Sequence, residues 1–473
     1  MQDAISSGPG AGRNAKDPGL RPPAPEPRDR PPDLFGFLAA ARDNPLTTWT
    51  KAHFEKPILY GKGVMGRVLV VNEPQAIRHV LLDNASNYRK DDLQRRVHAP
   101  GLGEGLLTAE GDEWKLLRRT LAPLFSARNV TGFLPVMDDA AKRLVARLTR
   151  RLPRERDMAL EMTRVTLDVL ERTIFTHGLD RDPDALSRAI TRFFEAIGPI
   201  DPLDVLRMPE FLPRIGRLRA RPAIRFFEEV VGELITRRRA LIESGADVPR
   251  DLLTLLLEAR DPETGEPLDE ISVQANIVTF IGAGHETTAN ALTWTLYLLA
   301  RAPEWAQTIR AEADAVLFDD AATPARLEKL VMTRAALEES MRLYPPVPFM
   351  SREALGPDRI AGIRVPKGTL VTIAPWVLHR HRTLWEEPDL FDPSRFLPEN
   401  RQNIPRFAYL PFGAGPRVCI GQSFSMQEAI LILARALRAI DLELAGDSAI
   451  APLHRVTLRP DRPVVMHLRR RAA

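Results

Sequence analysis

Apolar residues recur at three- and four-residue spacing over long stretches of the chain. This period predicts helices over 135 to 175, 183 to 198, 221 to 245, 268 to 301, 303 to 317, 327 to 343 and 422 to 440. Short strand-like runs occur only at 67 to 71, 360 to 364 and 369 to 374. The expected fold is therefore mainly α with a minor β portion. No fixed-period repeat is visible, and no linker-like stretch follows residue 33, so residues 34 to 473 are expected to form one large domain. The first 33 residues hold eight prolines and hardly any large apolar side chain. Such a segment cannot bury enough surface to order itself, and it is expected to be a disordered, Pro-rich N-terminal arm.

Composition narrows the function. With 44% hydrophobic residues in 473, the chain can bury a large core. No apolar run approaches the length that spans a bilayer, and the N-terminus lacks the basic-then-apolar order of a signal peptide, so a cytoplasmic monomer off the membrane is expected. A net charge of +4, with basic and acidic residues interspersed, argues against nucleic acid as a partner. A single cysteine excludes an internal disulfide.

That cysteine, Cys419, sits in Phe412-Gly-Ala-Gly-Pro-Arg-Val-Cys-Ile-Gly421, directly before a helical stretch. Gly413, Gly415 and Gly421 permit backbone angles and close approaches that a Cβ would block, so peptide N–H groups can crowd around a sulfur lying against a flat ligand. The helix N-terminus adds unpaired N–H groups, and together they are expected to favour thiolate. A buried free cysteine beside a flexible turn is the plain alternative. A second candidate site is Ala283-Gly-His-Glu-Thr-Thr288, inside a long apolar helix. Gly284 next to an acid and two hydroxyls suggests a local opening of the helical hydrogen-bond ladder. A kink with the threonines bonding back to the preceding turn is the alternative. Glu286 on such a helix is costly unless it relays protons. A third is Glu339-Ser-Met-Arg342, followed by Leu-Tyr-Pro-Pro. Both Glu339 and Glu338 lie within reach of Arg342 on a helix.

Phe412, Gly415, Arg417, Cys419 and Gly421 match the signature Phe-x-x-Gly-x-Arg-x-Cys-x-Gly, and on these residues the chain resembles the cytochrome P450 family, the haem-thiolate monooxygenases. Collinear motifs extend the resemblance from about Trp114 to the C-terminus. It implies a P450-type domain carrying haem b with Cys419 as the iron ligand and Phe412, Gly413, Arg417 and Gly421 around it. Ala283 and Gly284 would form the dioxygen groove, in which Glu286 and Thr287 deliver protons. Trp114 and Arg118, spaced as Trp-x-x-x-Arg, would join Arg352 and Arg417 at the propionates. Glu339, Arg342 and Arg395, the last from Pro393-Ser-Arg-Phe396, would form a buried charge cluster that locks the cysteine loop.

The implied activity is hydroxylation of an apolar organic substrate such as a fatty acid, terpenoid or steroid. Dioxygen is the oxidant, and the electrons come from a separate ferredoxin or flavodoxin with its reductase, without a fused flavin or iron–sulfur centre. The resemblance would place pocket residues at about 90 to 107, 190 to 220, Phe280, Ala283 and Val347 to Met350. Lys115, Arg119, Arg435 and Arg438 suggest a basic docking face for an acidic partner. His379 and His381 are expected at the haem edge or surface, and His285 receives no role. A haem-thiolate peroxygenase or isomerase, a haem-binding sensor without turnover, and a cysteine hydrolase are the competing readings.

Overall fold

The computed structural model describes residues 19–63, 66–176, 202–205, 208–209, 211, 214–319, 321–446 and 449–471. The helix expected over 183 to 198, and much of the pocket segment 190 to 220, lie outside the described residues.

The other expected helices form close to their predicted bounds, as Ile215–Glu243, Glu270–Arg301, Pro303–Val316, Val331–Leu343 and Gln422–Ala439. The stretch 135 to 175 differs. It divides into the helices Leu134–Thr149 and Met158–Phe175 around the strand Arg154–Asp157. Pro153 cannot donate to a helical ladder. The next four residues pair instead with Val465–Leu468 in a three-stranded sheet completed by Ile440–Leu444.

The main sheet has five strands in the order Ile58–Gly63, Gly66–Val71, Leu370–Ile373, Met350–Ala354 and Tyr88–Lys90. The expected strands at 67 to 71 and 369 to 374 meet there in parallel, Val68 opposite Leu370. The run 360 to 364 is two strands, Asp358–Ile360 and Ile363–Val365, because Ala361 and Gly362 take positive φ of 44° and 82° and turn the chain back.

The helix Glu270–Arg301 runs through the core. Asp269 caps it by accepting the Ser272 N–H at 2.6 Å, and Leu292, Trp294, Leu296 and Leu298 are wholly buried. It crosses Met158–Phe175 closely: a Cβ on Gly284 would stand 3.2 Å from Leu170 Cδ1, and the Thr166 hydroxyl donates to the His285 carbonyl at 3.2 Å. Among the described residues no helix is long and apolar enough to cross a membrane.

The expected disordered arm is corrected from residue 19 onward. The Leu20 carbonyl accepts the Phe391 N–H at 2.9 Å, and the Pro23 carbonyl accepts the Tyr344 hydroxyl at 2.7 Å. Arg28 bridges Thr50 through bonds to the Trp49 carbonyl and the Lys51 N–H. Prolines fix an extended backbone at low entropic cost, so a few bonds to the body suffice to hold it. Tyr344→Phe is expected to lower stability by about 1 kcal/mol and to speed proteolytic cleavage between residues 20 and 33, as limited digestion read by mass spectrometry would show.

Candidate active site

The loop Phe412–Gly421 ends at the N-terminus of Gln422–Ala439. Gly413 and Gly415 take φ of +71° and +72°, and a Cβ on Gly415 would stand 1.8 Å from the Leu81 carbonyl oxygen, so no other residue fits there. The Cys419 N–H donates to the Phe412 carbonyl at 2.9 Å and closes the loop. The Cys419 sulfur is crowded by protein yet open to solvent on one side. Burial pushes its thiol up, and the Gly421 N–H and the Arg118 guanidinium only partly oppose this. Burial thus opposes the expected preference of loop and helix for thiolate.

Cations gather beside it. Arg118 donates to the Val418 carbonyl at 2.9 Å. Arg417 lies over the Trp114 ring, 4.1 Å from its centre, and donates to Glu110 at 2.6 Å, while its Nη1 is buried without a partner. Arg352, buried on the strand Met350–Ala354, is lowered to about 10 by burial and by Arg417. Lys90, absent from the expected set, donates to the Leu106 and Ala109 carbonyls at 3.3 and 3.4 Å and to the Leu107 carbonyl. Burial, and then Arg417, lower it to about 7. Glu110 is the acid that recurs beside Lys90, Arg352 and Arg417. The surplus of buried positive charge and the orphaned Arg417 nitrogen suit a ligand bearing carboxylates, as haem does. No sequence signal marks Lys90, whose burial at the end of the strand Tyr88–Lys90 is visible only in the fold.

In the central helix, the Thr287 hydroxyl bonds back to the Ala283 carbonyl at 2.8 Å and that of Thr288 to Gly284 at 2.9 Å. Thr288 also reaches Ser425 Oγ at 3.0 Å. The helix is continuous here, so the expected opening of its ladder is not observed. Gly284 serves close packing on Leu170, while Ala283 is exposed and Thr287 half-buried. Glu286 accepts the Thr457 hydroxyl at 2.7 Å, a partner the sequence did not indicate. His285 is buried with Nδ1 2.8 Å from the Ile281 carbonyl. Of the pocket positions, Phe280 packs edge-on against Phe125 with ring centres 5.2 Å apart, Phe349 against His454 at 5.0 Å, and Met350 Cε lies beside Gly413.

Glu339 and Arg342 are wholly buried and doubly bonded, Nε to Oε2 at 2.6 Å and Nη2 to Oε1 at 2.8 Å. Arg342 also donates to the carbonyls of His379, Pro388 and Leu390, so all five of its N–H groups are used. Arg395 approaches Glu339 only to 3.7 Å and donates instead to the Glu387 carbonyl. Glu338 pairs with Arg401 at 2.7 Å. His379 and His381 are buried, which corrects the haem-edge or surface expectation: His379 Nε2 accepts the Leu410 N–H at 2.8 Å, and His381 bonds the Lys56 carbonyl.

The suggested basic docking face is largely neutralised by its own neighbours. Arg119 is gripped by Asp261 at 2.5 and 2.6 Å, Arg435 pairs with Asp138, and Arg438 with Asp314.

A helical domain that presents a cysteine sulfur at a helix N-terminus, open on one side and flanked by more cations than acids, has the build of a haem-thiolate protein. The cytochrome P450 family model matches residues 27–466. The chain is 31% identical to cyclooctatin synthase of Streptomyces melanosporofaciens over 82% of its own length and 81% of that protein's. It is 33% identical to the bifunctional cytochrome P450/NADPH–P450 reductase 2 of Bacillus subtilis, of which it spans 34%. The crystal structure of a cytochrome P450DA haem domain superposes with a TM-score of 0.82 at 28% identity, over 96% of this chain and 99% of that one. The chain belongs to the cytochrome P450 family and is a cytochrome P450 monooxygenase, a haem enzyme that hydroxylates organic substrates.

Glu339→Ala is expected to cost about 3–5 kcal/mol by stranding Arg342 in the interior, whereas Glu338→Ala, which frees a partly exposed arginine, should cost under about 1 kcal/mol. Chemical denaturation of both variants checks the contrast. A pH dependence follows from two buried histidines. Burial first, and then neighbouring arginines, pull His379 and His454 from 6.5 to about 3. The folded protein keeps both neutral while the unfolded chain takes up protons near 6.5. Their stabilisation is therefore full above about pH 6.5 and declines as pH falls toward about 3. Thermal unfolding across that window should show the decline, and His379→Gln, which keeps an acceptor for Leu410, should make it shallower.

Proposed function

We propose that Cys419 would hold the iron of haem b and that Trp114, Arg118, Arg352 and Arg417, joined by Lys90, would bind its propionates. The observation that carries this is the one cysteine sulfur, held open-faced in a loop shaped by Gly413 and Gly415 beside a surplus of cations; Gly421, at φ −87° with open space where a Cβ would stand, adds only its N–H. Haem bound there supplies dioxygen activation and oxygen insertion into an unactivated C–H bond, chemistry that belongs to the cofactor. The residues around it bind, orient and move protons. Phe412 and Gly413 shape the loop that would hold it, and Ala283 and Gly284 would border the site for dioxygen. Thr287, by turning its hydroxyl from the Ala283 carbonyl, presents a proton at Oγ1, and Glu286 supplies the next one from its carboxyl. Glu339 and Arg342, with Arg395 adding charge from the margin, keep the loop in place.

The substrate is an apolar molecule of the fatty-acid, terpenoid or steroid kind, received near Met350 and Phe349. A separate ferredoxin or flavodoxin with its reductase supplies electrons to a cytoplasmic monomer. With its arginines paired to acids, the face around Arg119 offers little net charge, and shape and apolar contact are expected to carry docking.

The reduced, carbon-monoxide-treated protein is expected to show the spectrum of thiolate-ligated haem, and Cys419→Ser should abolish it while the polypeptide folds. Thr287→Ala should keep that spectrum but lower product formed per reducing equivalent by about tenfold. Equal turnover of that variant with peroxide and with reduced donor would favour the peroxygenase instead.

A further inference from the structure

Glu286, the proposed proton carrier, is tied to a part of the chain remote in sequence. The Thr457 hydroxyl donates to its Oε1 at 2.7 Å, and the Asn290 amide donates to the same hydroxyl oxygen at 2.9 Å. Asn290 lies one turn beyond Glu286 on the central helix, so Thr457 bridges two successive turns from outside. A hydroxyl has a single proton. Because the amide nitrogen can only donate, that proton is committed to the carboxylate, and the order amide, hydroxyl, carboxylate is fixed.

Thr457 itself has little freedom. It is 4% exposed. The Arg455 N–H donates to its carbonyl at 3.0 Å, the next residue's N–H donates to the Pro346 carbonyl at 2.9 Å, and the Trp294 indole donates to the Leu458 carbonyl at 3.2 Å. The carboxylate is therefore the movable member of the pair. Neighbouring positions on a helix point about 100° apart, so a Glu286 carboxyl held by Thr457 does not share the direction of the Thr287 hydroxyl, which rests on the Ala283 carbonyl. Proton transfer between them requires the carboxylate to leave Thr457, take a proton from the solvent to which Glu286 is partly exposed and pass it to Thr287, after which Thr457 receives the carboxylate again.

We infer that Thr457, oriented by Asn290, is a positioning residue that holds the Glu286 carboxylate between proton transfers and so sets how many reducing equivalents end in product. This rests on Glu286 carrying protons. The test compares Thr457→Val, Thr457→Ser and Asn290→Ala with Glu286→Gln in the haem-loaded protein. Thr457→Val should retain the carbon-monoxide spectrum and KM but lose about fivefold in product per reducing equivalent, the difference appearing as hydrogen peroxide. Thr457→Ser should restore it, and Asn290→Ala should fall between. Independently of turnover, the infrared difference between ferric Thr457→Val and parent should contain a carboxylate band that is missing when both carry Glu286→Gln. An unmoved band, or unchanged product yield in Thr457→Val, overturns the inference. Unchanged yield in Glu286→Gln overturns the proton-carrier role while the infrared band still reports the Thr457 contact.

Discussion

A guanidinium group taken wholly out of water must find an acceptor for each of its five N–H groups, and the architecture around Arg342 is arranged to meet that demand. Glu339 supplies both oxygens from one helical turn away. The other three acceptors are the carbonyls of His379, Pro388 and Leu390, and the Asp392 N–H returns to Glu339 at 2.8 Å. These bonds fix the irregular stretch from 379 to 392 that has no ladder of its own. His379 passes the constraint on by accepting the Leu410 N–H, the Leu410 carbonyl accepts the Gly413 N–H at 3.2 Å, and the Phe412 carbonyl holds the Cys419 N–H. The position of the sulfur therefore depends on a charge pair that never touches it. Such a pair contributes little net stability relative to apolar packing, but it specifies one arrangement of carbonyls among many.

Electrostatics at the sulfur follow from the same burial. Desolvation favours the thiol, and one peptide N–H and Arg118 cannot reverse that alone. On the other flank, desolvation and mutual repulsion lower Lys90 and Arg352. The protein thus carries two strained groups, an acid held neutral and bases held at a disadvantage. A ligand with a metal cation at its centre and carboxylates at its rim relieves both at once. Complementarity of this kind makes cofactor binding and folding mutually reinforcing.

The residues that announce themselves in sequence are those whose geometry is local. The loop Phe412–Gly421 was legible because glycines at positive φ cannot be replaced, and the long helices because their burial repeats every few residues. What stayed hidden depends on partners distant in the chain. Pro153 divides a continuous helical pattern because Val465–Leu468 offers a ladder three hundred residues later. Residues 19 to 33 read as disordered since their partners, Tyr344, Phe391 and Thr50, belong to the body. Gly284 looked like an opening and is a contact with Leu170, and Arg119, Arg435 and Arg438 looked free and are paired with acids on other elements. Lys90 and Thr457 carry no motif at all. Conversely, Glu338 and Glu339 were indistinguishable by spacing, and only the burial of one and the half-exposed partner of the other separate them.

The proton transfers proposed for the central helix have to be reconciled with its rigidity. Its backbone is pinned on three sides: Gly284 sits against Leu170, Thr166 bonds the His285 carbonyl, and Thr288 reaches Ser425. Opening the ladder would strand buried peptide groups at about 1–3 kcal/mol each, whereas turning a side chain between rotamers passes through off-rotamer positions at about 0.5–1.5 kcal/mol. The inexpensive motions are therefore those of Thr287 and Glu286 side chains, which begin on acceptor and donor groups one turn back and across the Thr457 contact. On the proposed reading, a fixed backbone with two mobile polar tips would confine proton traffic to residues whose resting places are set by the fold.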